Sequence, residues 1–136
     1  MMKDKFILDA CCGSKQMWED KNHINSIYID IRKEEKGFVG GKNDYMEVNP
    51  DIVMDFTKLK FPDKKFKLVV FDPPHLKTLG KNSLFRKMYG NLDGDWKPII
   101  KKGFDECWRV LEDYGILLFK WSDVEIKLKE IYELFP

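Results

Sequence analysis

Val69-Val70-Phe71-Asp72-Pro73-Pro74-His75 is the stretch that decides the fold. It closes an apolar run beginning at Phe66 and interrupted only by Lys67, the pattern of a strand buried on both faces of a parallel sheet. Proline fixes its own φ and drives the residue before it toward extended geometry, so Asp72-Pro73-Pro74 ends the strand without running on into a helix. One carboxylate is thereby held on a stiff loop at the C-terminal end of a parallel strand, which is where open α/β sheets bind ligands. An Asp-Pro-Pro sequence alone also makes an ordinary surface turn, so the rest of the chain has to be weighed with it.

Such a loop suits an attack by an amino group conjugated to a planar ring or amide, whose lone pair is weakly nucleophilic. Asp72 would accept one N–H and the Pro73 carbonyl the other, favouring the pyramidal nitrogen that forms during attack. Pro74 stiffens the loop, and His75 would lie against the ring.

The 136 residues form a single domain, long enough for a real core. A hydrophobic content of 43% with 14% aromatics argues for a packed globule. A net charge of +1 gives no whole-molecule attraction to nucleic acid. Cys11, Cys12 and Cys107 have no metal-type spacing, so no metal is expected, and they read as thiols of a reducing cytoplasm. Residues 1–5 are polar and the apolar stretch after them is short, which argues against a leader. Nothing in the sequence approaches a membrane span.

In sequence order, Phe6-Ile7-Leu8 reads as a strand entering a glycine-bearing turn, Asp9-Ala10-Cys11-Cys12-Gly13-Ser14, with a helix expected over residues 15–21 and Ser14 as its N-cap. A second strand, Ser26-Ile27-Tyr28-Ile29-Asp30, ends in an acid 21 positions after Asp9, near the interval between a nucleotide-binding turn and its ribose acid. The glycine set of a nicotinamide-cofactor turn is incomplete. Residues 31–50 read as a long loop, either a lid or a plain surface connection. A third short strand over residues 51–56 brings Asp55 and Phe56 to a position where they could hold an adenine. Strands ending at Asp9, Asp30, Asp55 and Asp72 make a repeated pattern that helix caps and turns alone do not explain.

Residues 76–102 carry seven basic residues and two acids, a local charge of +5 in a protein of net +1. Cations such as Lys77 and Arg86 interleave with Tyr89 and Trp96. A basic, aromatic-bearing insertion (residues 76–97) beside a carboxylate suits a nucleic-acid strand. A solvated lid whose aromatics pack onto the domain accounts for it equally well. Residues 98–111 form an amphipathic helix, Asp113-Tyr114-Gly115 a break, Ile116-Leu117-Leu118-Phe119 a fifth strand, and residues 124–134 a last helix.

With these positions assembled, the sequence resembles class I S-adenosylmethionine-dependent methyltransferases over nearly its whole length. The resemblance implies a Rossmann-like, doubly wound α/β sheet of order 3-2-1-4-5 and S-adenosyl-L-methionine as cofactor. The turn of Asp9, Ala10, Cys11, Cys12 and Gly13 is similar to the motif that cradles the cofactor's methionine end. Asp30, followed by Ile31, matches the ribose-binding acid, and Asp55 with Phe56 the adenine position. Asp72-Pro73-Pro74-His75 looks like the D/N/S-P-P-aromatic loop of enzymes that methylate amino nitrogens, and the small, often phage-encoded subgroup with Cys-Cys-Gly-Ser and Asp-Pro-Pro-His is the nearest likeness.

The sequence departs from that family in three places. His75 stands where Tyr, Phe or Trp is usual. Too few residues precede Phe6 for the N-terminal cofactor motif, so Lys15 is expected to meet the cofactor carboxylate instead. No antiparallel strand pair follows the last helix, so the domain is expected to be shortened at its C-terminus relative to the family. Its fifth strand is then an apolar edge open to a second copy or a partner protein. The expected activity is methyl transfer to an exocyclic amino nitrogen, first of all on a DNA or RNA base. Lys77, Arg86, Tyr89 and Trp96 would hold that target. The alternatives are a protein glutamine or small amine as acceptor, or cofactor binding without catalysis.

Overall fold

A computed structural model describes residues 4–136. Residues 1–3, most of the polar opening on which the absence of a leader was read, lie outside them. Five strands, β1 (Ile7–Asp9), β2 (Ser26–Asp30), β3 (Ile52–Val53), β4 (Phe66–Phe71) and β5 (Leu111–Phe119), pair in the order β3-β2-β1-β4-β5. Every pairing within this sheet is parallel. The backbone steps outward one way from β1 to β3, then returns to β4 and steps out the other way. The β1–β4 junction is therefore the switch point at which such sheets open a crevice.

Among the described residues the α-helices lie in the second half, α1 (Leu84–Tyr89), α2 (Trp96–Val110) and α3 (Leu128–Tyr132), and the first half has a 3-10 turn at Gly41–Asn43. α2 lays Ile100, Gly103, Phe104, Cys107 and Val110 against the sheet. The Phe104 ring meets Phe71 edge-on at 5.3 Å and Phe119 at 4.8 Å. Gly103 is required there, because a Cβ would stand 2.6 Å from the Phe71 ring and 3.0 Å from Phe56. Arg109 clamps the β3–β4 connection to α2, donating to the carbonyls of Leu59 and Phe61 and to Asp63. Glu106 holds Arg109 and accepts from the Leu59 N–H.

The helix expected over residues 15–21 is absent; turns stand in its place. Only Met17 and Trp18 there are apolar enough to anchor it, Lys15 takes a left-handed φ of 57°, and the Trp18 indole is drawn inward onto Asp9. The third strand shrinks to two residues because Asp55 turns the backbone, its Oδ1 accepting from the Thr57 N–H and hydroxyl, both at 2.8 Å. The break at residues 113–115 is a bulge inside a continuous β5. Pairing with β4 jumps from Phe66–Leu111 to Leu68–Ile116, with Tyr114 at φ 64°. The last helix is one short turn, and α1 forms within the basic insertion with Ser83 accepting from the Arg86 N–H. Among the described residues nothing pairs with the outer edge of β5, where Ile116 is 65% exposed, and no helix is long and apolar enough to cross a membrane.

Candidate active-site cleft

The C-terminal ends of the strands border two adjoining cavities, of 340 and 490 Å³, which share Cys11, Asp30, Arg32, Pro74 and Tyr89 and so form one two-lobed cleft. Asp9, Cys12, Gly13, Asp72, Pro73, His75 and Lys120 line the smaller lobe. Ala10, Ile31, Asp55, Phe56 and Thr57 line the larger. Asp30 and Asp72, 42 positions apart in sequence, face the same hollow.

The carboxylates differ in what they hold. Asp30, 2% exposed, accepts from the Gly13 N–H at 2.8 Å and from the Arg32 N–H at 2.9 Å, tying the end of β2 to the turn after β1. A carboxylate offers about four acceptor positions, so ligand hydroxyls have room beside these donors. Asp9, equally buried, accepts from the Trp18 indole at 2.7 Å and the Cys11 N–H at 3.2 Å. Burial pushes its carboxyl up to about 6, against the pull of those two bonds and with a further push from Asp72 and Asp30. Burial and the three acids Asp30, Asp9 and Asp72 hold the Cys11 thiol well above its usual range. It stays protonated and cannot serve as a covalent nucleophile.

Asp72 stands at the end of β4, half-buried, with its carboxyl pushed upward by burial and drawn back by Lys120, whose ammonium lies 3.5 Å away. Among the described residues no donor reaches the Pro73 carbonyl. Burial lowers His75, whose ring stands edge-on to Trp121 at 6.1 Å, so the imidazole is neutral near pH 7. The loop thus presents an anionic acceptor, a free carbonyl acceptor and an uncharged ring. Among the described residues no three His, Cys, Asp or Glu side chains gather to hold a metal ion.

The insertion closes over the cleft. Phe85, Met88 and Tyr89 of α1 line the smaller lobe beside Asp72 and His75, and the Phe85 and Tyr89 rings stack at 6.4 Å. Arg32 carries the link, its Nη1 donating to the Lys87 carbonyl at 2.9 Å. Of the expected target-binding residues, Tyr89 is in the cleft. Arg86 borders the larger lobe, but its guanidinium is spent on both oxygens of Asp93 and on the Leu79 carbonyl. Lys77 is outside the cleft, its N–H donating to Glu125. Trp96 is a core residue, 8% exposed, because it opens α2 and turns inward with Ile100. Lys15 also lies outside both lobes, its ammonium 4.2 Å from the centre of the Tyr28 ring.

Sequence reading missed Arg32, Lys120 and Met88 as cleft residues. Lys120 carried a usable signal, because it follows the last residue of β5 as Asp72 follows the last of β4 in the adjacent strand.

No family model and no curated protein matches this sequence. Among solved structures it is similar to PH0226 protein from Pyrococcus horikoshii OT3, at 22% identity and a TM-score of 0.52. The match covers 98% of the present protein and 53% of that one, so the sequence spans about half of PH0226. The likeness establishes the fold, a Rossmann-like parallel α/β sheet.

Proposed function

We propose that the cleft binds S-adenosylmethionine and transfers its methyl group to an amino nitrogen on a planar acceptor. The observation that carries this reading is the meeting of Asp30 and Asp72 in one hollow at the switch point, with Asp55 and Phe56 in the adjoining lobe. The lining residues offer partners that each part of the cofactor would use. Asp55, whose second oxygen meets no donor among the described residues, and Phe56 would take the adenine. Asp30 would take the ribose hydroxyls, and the turn from Ala10 to Gly13 the methionine end. Asp9, Asp30 and Asp72, set against Arg32 and Lys120, leave the smaller lobe with a surplus of one acid, which suits a sulfonium cation.

When bound, the cofactor supplies an electrophilic methyl group on a sulfonium sulfur. Asp72 and the Pro73 carbonyl each accept one N–H of the acceptor amine, which localises its lone pair and aims it in line with the methyl carbon. As that pair forms the new N–C bond and the methyl–sulfur bond breaks, its electrons staying on the neutral sulfide, the nitrogen would become cationic and Asp72 would receive its surplus proton. Lys120 keeps Asp72 ionised beforehand, and Pro74 keeps the loop from yielding.

A nucleic-acid base is the first acceptor class on this reading, offered to the Phe85–Tyr89 pair and flipped from its stack if it comes from a duplex. A second reading, a protein glutamine or small amine, is favoured by the engagement of Arg86 with Asp93 and the burial of Trp96, which shrink the strand-binding surface. Incubation with methyl-labelled cofactor and separate pools of DNA, RNA, protein and small amines decides between them. Label in nucleic acid that falls steeply with salt supports the first reading, and salt-insensitive label elsewhere the second. No label in any pool, with cofactor still bound, leaves a binding protein without catalysis.

The same proposal has a second copy pairing antiparallel along β5. A monomer by light scattering at micromolar concentration overturns that pairing.

A further inference from the structure

Behind the turn that follows β1 lies another hollow, of 250 Å³, which shares Gly13, Ser14 and Gln16 with the cleft but opens beyond it. Lys15, Lys21 and Lys36 line it against a single acid, Glu47. Lys15 is the unusual member. It is 9% exposed, and among the described residues no carboxylate pairs with its ammonium and no acceptor hydrogen-bonds to it. Its contact is the face of Tyr28 at 4.2 Å. Most of this side chain is enclosed while its ammonium still opens on the hollow, and a lysine so largely buried is ordinarily paired, because desolvating an ammonium is costly. An aromatic face offsets only part of that cost. The residue is held there by a left-handed backbone, φ 57°, that an L residue rarely adopts.

We propose that this hollow is a binding site, separate from the cleft, for a phosphate-type oxyanion, with Lys15 as its main ligand and Lys21 and Lys36 at its rim. An oxyanion supplies the missing acceptors for the Lys15 ammonium and offsets the surplus of three lysines over one carboxylate. Ser14 and Asn49, also in the wall, offer neutral donors that a phosphate oxygen can use. The ligand reaches Lys15 from this side, since Lys15 lines neither lobe of the cleft.

Thermal unfolding with inorganic phosphate, against potassium chloride of matched ionic strength, tests the site without any reliance on the methyltransferase reading. The wild-type protein should show a saturable rise in Tm with phosphate beyond the chloride control. Lys15→Gln should weaken the apparent affinity at least tenfold, and Lys36→Gln by less. If Lys15→Gln does not fold, Lys36→Gln carries the comparison. An equal phosphate response in wild type and variant, or none beyond chloride, overturns the proposal.

Discussion

Replacing Asp9 by Asn should flatten the protein's loss of stability between mildly acidic and neutral pH. The folded carboxyl is 2% exposed and titrates at about 6, whereas the unfolded side chain titrates near 3.8. Between those values folding takes up a proton. Asp9's contribution is therefore fully present below pH ~4 and is lost as the pH rises through 6. Roughly two units at ~1.4 kcal/mol each make that loss about 3 kcal/mol. Asn cannot ionise, and with one acceptor oxygen it forfeits either the Trp18 or the Cys11 bond, at a pH-independent cost of about 1 kcal/mol. Urea denaturation of both proteins from pH 4 to pH 7 reads the difference directly. The stability difference between wild type and variant should shift by about 2–3 kcal/mol over that range, reversing in sign near pH ~4.5 and leaving the variant the more stable by about 2 kcal/mol at neutrality. Parallel curves would refute the buried-carboxyl account. The functional meaning is that the cleft holds a buried acid whose ionised form a cationic ligand would stabilise.

The acceptor loop gives a second expectation. Asp72→Asn should lower kcat for methyl transfer by about 100-fold or more, since it removes the charged acceptor from the attacking amine. In wild type, transfer should rise with pH as Asp72, its carboxyl held above the usual value by burial, loses its proton; a flat acid limb in the pH–rate profile would count against this role. Gly103→Ala pushes a methyl into Phe71 and Phe56, so it should cost about 1–3 kcal/mol by chemical denaturation, and an unchanged midpoint would show that α2 can shift away freely. Arg32→Ala removes the bond to the Lys87 carbonyl, so amide hydrogen exchange across residues 84–89 should speed up while β4 stays protected.

The strands themselves were legible from two plain signals, whereas their order was implied by the family resemblance. β2 and β4 are apolar runs that end in acids, and each apolar run is separated from the next by turn-forming residues. The acids that close those strands fell together in space for the same reason: parallel strands deliver their C-terminal ends to one rim. What the sequence concealed depended on tertiary bonds. Residues 15–21 have passable helical propensity, but Trp18 and Lys15 are pulled onto Asp9 and Tyr28 by contacts that no local pattern predicts. Trp96 looked like a member of a basic, aromatic surface because its neighbours are charged. Its place at the start of α2, one turn before Ile100, puts it in the core instead. Arg86 looked free for phosphate, and Asp93, seven positions on, takes both arms of its guanidinium. Arg32 gave no signal at all, since its role is to join β2 to a helix that begins 52 positions later.

Titration calorimetry with S-adenosylmethionine, on wild type and on Asp30→Ala, puts the shared hollow to its most direct test. One saturable site per molecule, weakened at least tenfold by the substitution (about 1.4 kcal/mol), is the expected result. Absence of binding by the folded wild-type protein, or equal affinity in Asp30→Ala, would contradict it.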